Sequence, residues 1–311
     1  MDIKNLLKSF NKTSNRGLKG VCNTPLRVIR LYRLKLSRYT LLVATLFILL
    51  LNCQPCNNTQ PYLILYAFNA EGQVLKEQMT VEQSLNILGR DVCIGSLSGK
   101  DIILAESGIG MTNASITTQR LIDEFEPVGV IFTGIAGAID SAVQIGDIVI
   151  CESWITHDYV YHGADGPVPD AITVYSPYLD SVIEMTRFTV DSTMFAVAAG
   201  ISADSIAFRN IGDRKPAVLV GEAGVSGNAF IDNYEKRIWL KTSFHALITD
   251  MESAAVAQVC TVNDVPFIVF RSASDLAGGS GSESAKDELQ GFFKVAADNS
   301  STLVIKFLEQ L

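Results

Sequence analysis

From Pro61 onward the chain alternates short apolar runs with longer amphipathic ones. Tyr62 to Phe68 is an apolar run of strand length, and Asp91 to Leu97 with Asp101 to Ser107 reads as a hairpin around Ser98-Gly99-Lys100. Apolar positions then switch to helical spacing. Ala114, Thr118, Leu121, Ile122 and Phe125 share one face of a helix that opens at Gly108-Ile109-Gly110 and stops before Pro127. Val128 to Thr133 is a continuous apolar strand, Gly134-Ile135-Ala136-Gly137-Ala138 the tight turn leaving it, and Gly146 to Ile155 a further strand. His157 to Pro177 has three prolines and little periodicity, the mark of a long loop. The pattern then predicts a helix from Leu179 to Ala199, a strand from Ala217 to Gly221 and a helix from Asn233 to Leu240. A strand over 246–250, a helix over 251–262, a strand over 266–271 and a last helix from Glu283 to Leu311 complete it. Strands alternating with helices imply one α/β domain, residues 61–311, with a largely parallel sheet.

Residues 1–60 break that pattern. Ten basic residues between Lys4 and Arg38 face one acid, Asp2, and lead into the uncharged apolar run Tyr39 to Leu51, 13 residues long. That is short for a membrane span but has the shape of a signal peptide or signal anchor. Leu50-Leu51-Asn52-Cys53 resembles a bacterial lipoprotein signal, with Asn52 departing from the small residue usual before the cysteine. The expectation is a catalytic body outside the cytoplasm, exported or tethered at a membrane. Of the 25 basic and 33 acidic residues, the chain after residue 53 keeps 15 and 32, a net of −17. A surface that acidic argues against a nucleic-acid partner. Cys53 and Cys56 have a C-x-x-C spacing but precede no βα unit, and three scattered histidines form no ligand cluster, so neither a redox site, a metal nor a cofactor is expected.

Chemistry concentrates near the C-terminus. Asp250-Met251-Glu252 ends one apolar run and Arg271-Ser272-Ala273-Ser274-Asp275 another, which puts charged groups at the C-terminal edge of strands, where open α/β sheets bind ligands. Three glycine-containing segments, Ser107-Gly108-Ile109-Gly110, Thr133-Gly134-Ile135-Ala136-Gly137 and Ser226-Gly227-Asn228-Ala229-Phe230, would let backbone approach a small ligand. Each alone is as well explained by a tight turn. None fits a dinucleotide fingerprint, and no P-loop lysine is present.

Taken in order, Ala67-Phe68-Asn69-Ala70-Glu71, the three glycine segments, Gly146-Asp147-Ile148-Val149, Asp250-Met251-Glu252-Ser253-Ala254 and Arg271-to-Asp275 resemble the nucleoside phosphorylase and nucleosidase superfamily. The branch that they look most like is the 5'-methylthioadenosine/S-adenosylhomocysteine nucleosidases. The resemblance spans residues 62 to 308. It implies a single three-layer α/β/α domain with a mixed, largely parallel central sheet, a homodimer, a purine nucleoside as substrate and hydrolysis of its N-glycosidic bond.

It also implies roles. Asp275 matches the general acid that protonates the purine, with Arg271 expected beside it, and Glu71 the carboxylate that activates water. Glu252 matches the acceptor for the ribose hydroxyls, Met251 packs on the sugar and Phe230 stacks on the base, with Ser226 and Asn228 near the purine edge and Ile135 and Gly137 along the central turn. Apart from the motifs, Phe230 and Met251 read as core residues and the acids as helix-start charges. Three residues depart from the pattern: Ile135 stands for a small polar residue, Asp250 for glutamate and Asn228 for aspartate. A phosphorolytic relative needs arginines for a phosphate dianion, yet Gly129-Val130-Ile131-Phe132-Thr133 has none, and Lys76 and Arg90 are the nearest basic residues after the first strand. Water is therefore the expected nucleophile. A phosphate-dependent phosphorylase and a non-catalytic nucleoside-binding or storage protein are the competing readings; the latter would not need both catalytic acids.

Overall fold

The computed structural model describes residues 60–178 and 181–311, so the expectations for the basic segment, the apolar run and Cys53 fall outside the described residues. Thr59–Leu311 forms one compact unit. Among the described residues no helix is long and apolar enough to cross a membrane.

Among the described residues the main sheet has twelve strands. Its centre is β1 (Tyr62–Tyr66), flanked in parallel by β4 (Lys100–Glu106) and β5 (Gly129–Ala138). On one side of that centre β2 (Thr80–Ile87) and β3 (Arg90–Leu97) extend the sheet antiparallel. On the other, β16 (Phe267–Leu276) runs parallel along β5, and β15 (Ala246–Asp250) pairs antiparallel with its last residues. β14 (Ala223–Ser226) follows β15 in parallel.

Side-chain alternation along β1 divides the core into two layers. Leu63 and Leu65 face Ala114, Leu121 and Ile122 of α2 (Met111–Phe125) and Ala254 to Cys260 of α5 (Ser253–Val262). Ile64 and Tyr66 face Leu75 of α1 (Asn69–Gln78) and Leu303, Val304 and Phe307 of α6 (Ala285–Leu308). Helices thus cover both faces of a mixed sheet whose central strands are parallel, as the sequence pattern and the resemblance lead one to expect.

The details differ where tertiary pairing overrides local pattern. The residues read as a turn, 134–138, continue β5, because β16 bonds to them as far as Leu276↔Ala138. The strand read over 146–155 breaks at Cys151-Glu152 into β6 (Ile148–Ile150) and β7 (Ser153–Thr156), which pair with different partners. The loop 157–177 contains a hairpin, β8 (Val160–Gly163) with β9 (Gly166–Pro169), and β10 (Ile172–Val174). The helix expected from Leu179, itself outside the described residues, is confined to α3 (Ser192–Ala199). Asp191 caps it by accepting from the Met194 N–H at 2.8 Å, and β11 (Ile183–Met185) and β12 (Phe188–Thr189) precede it. α1, β2 and β14 had no counterpart in the pattern. The first two are too polar to display a period, and β2 is exposed along most of its length.

Candidate active site

A cavity of about 240 Å³ opens at the C-terminal ends of β1, β5, β15 and β16. Glu71, Asp250, Glu252 and Asp275 line it, together with Ile135, Gly137, Phe230 and Met251, and among the described residues no basic one does. The four carboxylates are nearly inaccessible to solvent. Charged groups so enclosed need partners, and each has a different set.

Glu71 stands in the first turn of α1. Its Oε2 accepts from the backbone N–H of Ala67 at 2.6 Å and, more loosely, of Phe68 at 3.4 Å, in the manner of a capping glutamate. Its Oε1 accepts from Ile135 N–H at 2.8 Å. Burial raises its pKa above the ordinary carboxylate range, while Arg271 and these three amides pull the other way. From the far end of the chain, Ser301 Oγ donates to the Glu71 carbonyl at 2.8 Å.

Arg271, wholly buried on β16, gathers three of the acids. Its Nε lies 2.7 Å from Asp250 Oδ2, its Nη1 3.7 Å from Glu71 and its Nη2 3.6 Å from Glu252, and the guanidinium stacks on Phe132 at 4.1 Å from the ring centre. One cation among three carboxylates leaves the cluster short of positive charge. Accordingly Glu252 is pushed up to about 7, first by burial and then by the charge of Asp250, against the pull of Arg271 and of the Gly110 N–H that Glu252 accepts at 2.8 Å.

Asp275 is the acid that Arg271 does not serve. In a regular strand, residues four apart share a face, which is the basis for expecting the pair side by side. The register of β16 against β5 slips between Ala273 and Asp275, so Arg271 pairs with Gly134 but Asp275 with Gly137. Those two glycines are an odd number of residues apart, and the bulge turns Asp275 to the opposite face from Arg271. There Asp275 accepts from Ser274 Oγ at 2.9 Å and is pushed up to about 7, chiefly by burial. The expected contact of Arg271 with Asp275 is therefore replaced by one with Glu71, Asp250 and Glu252.

The glycines of β5 are there for close approach. A methyl group at Gly134 would collide with Arg271 and Glu71, and one at Gly137 would lie 2.9 Å from Asp275 Oδ1.

Ser226 and Asn228, expected at the purine edge, hold the walls instead and do not line the cavity. Ser226 Oγ donates to Asp250 Oδ1 at 2.5 Å and accepts from Ala254 N–H at 2.8 Å. Asn228 Oδ1 accepts from Met111 N–H at 3.0 Å, which ties its loop to the start of α2, and its own N–H donates to Asp158 at 3.0 Å. Phe230 is 45% exposed at the mouth. Asp250 is the member that sequence reasoning left out of the site. It bonds Arg271, Ser226 and Ser253, and its position beside Met251-Glu252 at a strand end was the available signal.

Residues 61–309 match the model of the phosphorylase superfamily. A 5'-methylthioadenosine/S-adenosylhomocysteine nucleosidase from a Marinomonas species is 33% identical over 248 residues, 78% of this chain and 96% of its own. Among solved structures, the nucleosidase of the same name from Neisseria meningitidis, in complex with methylthio-immucillin-A, superposes with a TM-score of 0.66 at 28% identity, over 81% of this chain and all of the other. The futalosine hydrolase of Helicobacter pylori superposes equally well, with a TM-score of 0.66 at 25% identity over 81% and 98%.

Proposed function

Since the chain belongs to the phosphorylase superfamily, we propose a reaction from the chemistry of its cavity: it hydrolyses the N-glycosidic bond of a purine nucleoside, 5'-methylthioadenosine or S-adenosylhomocysteine, releasing adenine. The observation that carries this is the charge of the lining, four carboxylates and, among the described residues, no arginine or lysine. A phosphate dianion has no counter-charge there, since Arg271 lies behind the acids and is already engaged by three of them. Water does not need one. The same negative excess stabilises the oxocarbenium-like ribose that forms as the bond to the base lengthens.

In this mechanism Asp275, with a pKa of about 7, carries the proton that neutralises the departing purine. Glu71, oriented by its amides, takes a proton from the attacking water, and Glu252 receives the ribose hydroxyls. Phe230 and Met251 supply apolar area for base and sugar, and Phe68 and Ile109 for the 5' substituent. The test is base release by the full-length protein from methylthioadenosine, S-adenosylhomocysteine, adenosine, inosine and futalosine, with and without phosphate. Phosphate-independent release with free sugar, fastest from the thio-nucleosides, is the expected outcome. Release that requires phosphate overturns hydrolysis, and binding without turnover makes this a nucleoside-binding protein.

The same proposal includes assembly and address. Tyr161 and Val168 of the β8–β9 hairpin are 67% and 56% exposed, and Ile109 at the cavity mouth is 53% exposed, an apolar surface suited to a second copy of the chain. Sedimentation equilibrium would read a homodimer, and a monomer at micromolar concentration would refute it. The basic and apolar run of residues 4–51 supports export or membrane tethering, to be tested by protease accessibility in intact cells.

A further inference from the structure

Behind Asp275, on the side away from Arg271, lies a second buried carboxylate that the mechanism has not used. Glu288 sits in the first turn of α6 and is 3% exposed. Its Oε2 accepts from the backbone N–H of Leu276, the residue directly after Asp275, at 2.8 Å. The neighbouring turn is pinned as well: Ala277 N–H donates to the Ala138 carbonyl at 3.1 Å, and Ala285 N–H, at the start of α6, to Asp232 at 2.9 Å. The next residue along the helix, Leu289, lines the cavity.

A buried glutamate is a costly way to satisfy one amide, which a glutamine or a serine could do without a charge. We propose that Glu288 is a positioning residue for the general acid: it fixes the end of the bulged strand so that Asp275 faces the cavity, and it keeps a negative charge behind that carboxyl so that the proton stays on it until the purine takes it. This rests on the nucleosidase reading above.

The groups facing Asp275 come from three elements. Glu288 from α6 and Asp232 from the segment after Phe230 both favour the protonated acid. Arg237, on α4 (Tyr234–Phe244), opposes them but is turned to the Ile139 carbonyl, to which its Nε donates at 2.9 Å. Burial is the largest influence, so the carboxylates behind Asp275 refine a proton affinity that the cavity itself establishes. Of the two, Glu288 is the one joined to the backbone of the acid's own strand.

Glu288→Gln separates the two duties, because an amide oxygen still accepts from Leu276 N–H while the charge is gone. The alkaline limb of the kcat profile, on which Asp275 loses its proton, should move to lower pH by on the order of one unit, with KM almost unchanged at low pH. Glu288→Ala loses the hydrogen bond too and should in addition lower kcat at every pH, about tenfold for one lost hydrogen bond to a charged group. An alkaline limb that superimposes on that of the unaltered protein in Glu288→Gln, with only the melting temperature changed, overturns the proposal. A readout free of turnover keeps it separate from the nucleosidase reading. The infrared carboxyl band that disappears in Asp275→Asn can be titrated in the resting protein, and in Glu288→Gln its midpoint should fall. If no substrate is turned over but this midpoint falls, the reaction assignment fails and the role of Glu288 stands; if turnover is found but the midpoint does not move, the reverse holds.

Discussion

At the scale of single residues, the site rests on two acids whose pKa values burial raises and whose partners differ. Asp275 has one hydroxyl partner and no ion pair, with Arg237 acting on it only by its charge, and its pKa of about 7 is set mainly by burial. Glu71, as deeply buried, accepts from three amides and faces a guanidinium, all of which favour its ionised form. An asparagine at 275 presents nearly the same shape without a transferable proton. Asp275→Asn should lower kcat by about 10² to 10⁴ while nucleoside binding by calorimetry stays within a few-fold; equal loss of binding and turnover would remove its role as acid. Residue types and order made most of this legible in the sequence, since all four carboxylates stand in the quoted motifs. What the sequence hid is partnership. Nothing in Arg271-Ser272-Ala273-Ser274-Asp275 announces the slipped register that sends its two charges to opposite faces, and Ser226 and Asn228 read as ligand contacts until their bonds to Asp250 and Met111 are seen.

At the scale of elements, β5 is the part on which the others depend. Gly134 and Gly137 suggested a turn because glycine usually marks one, yet both lie in a strand bonded to β16, where absence of a side chain admits Arg271 and Asp275 to the backbone. Gly134→Ala should therefore act as an active-site mutation without touching the cavity. Forcing Arg271 and Glu71 apart should cost several kcal/mol, in the range for breaking a buried ion pair, and remove most activity. Urea melts and kinetics of this variant with near-normal values for both would show that the strand yields. Elements with strong periods, β1, β3, β4, α2, β15 and α5, were readable for that reason. α1 and β2 were not, being polar, and β8 to β12 follow from pairings between segments whose local pattern carries no period.

At the scale of the whole molecule, acids held for chemistry act on stability. Asp275 keeps its proton to about 7 when folded but releases it near its ordinary value of 3.8 in the unfolded chain, so between these values the folded state binds more protons and stability falls as pH rises. Glu252, at about 7 against 4.5, has the same sign; His157, whose pKa burial lowers, has the opposite one, its contribution being lost as pH falls through 6.5. Comparison with Asp275→Asn isolates the first effect. The variant should gain stability over the unaltered protein as pH rises from 4 to 8, by about 1.4 kcal/mol for each unit by which the acid's pKa is raised. Parallel stability curves would mean that Asp275 ionises as freely folded as unfolded.

The hydrogen bond from Ser301 to the Glu71 carbonyl, and the pairing of β16 along β5, also have a bearing on how the protein is made. A ribosome delivers Glu71 some two hundred residues before Asp275 and Ser301. Until then β1, β4 and β5 have emerged with one long apolar edge unpaired, and contacts spanning so much of the chain close slowly. Synthesis therefore passes through an intermediate with an exposed apolar edge, and a chain cut short before α6 should aggregate rather than fold into an inactive enzyme, which its partition between soluble and pelleted fractions would show.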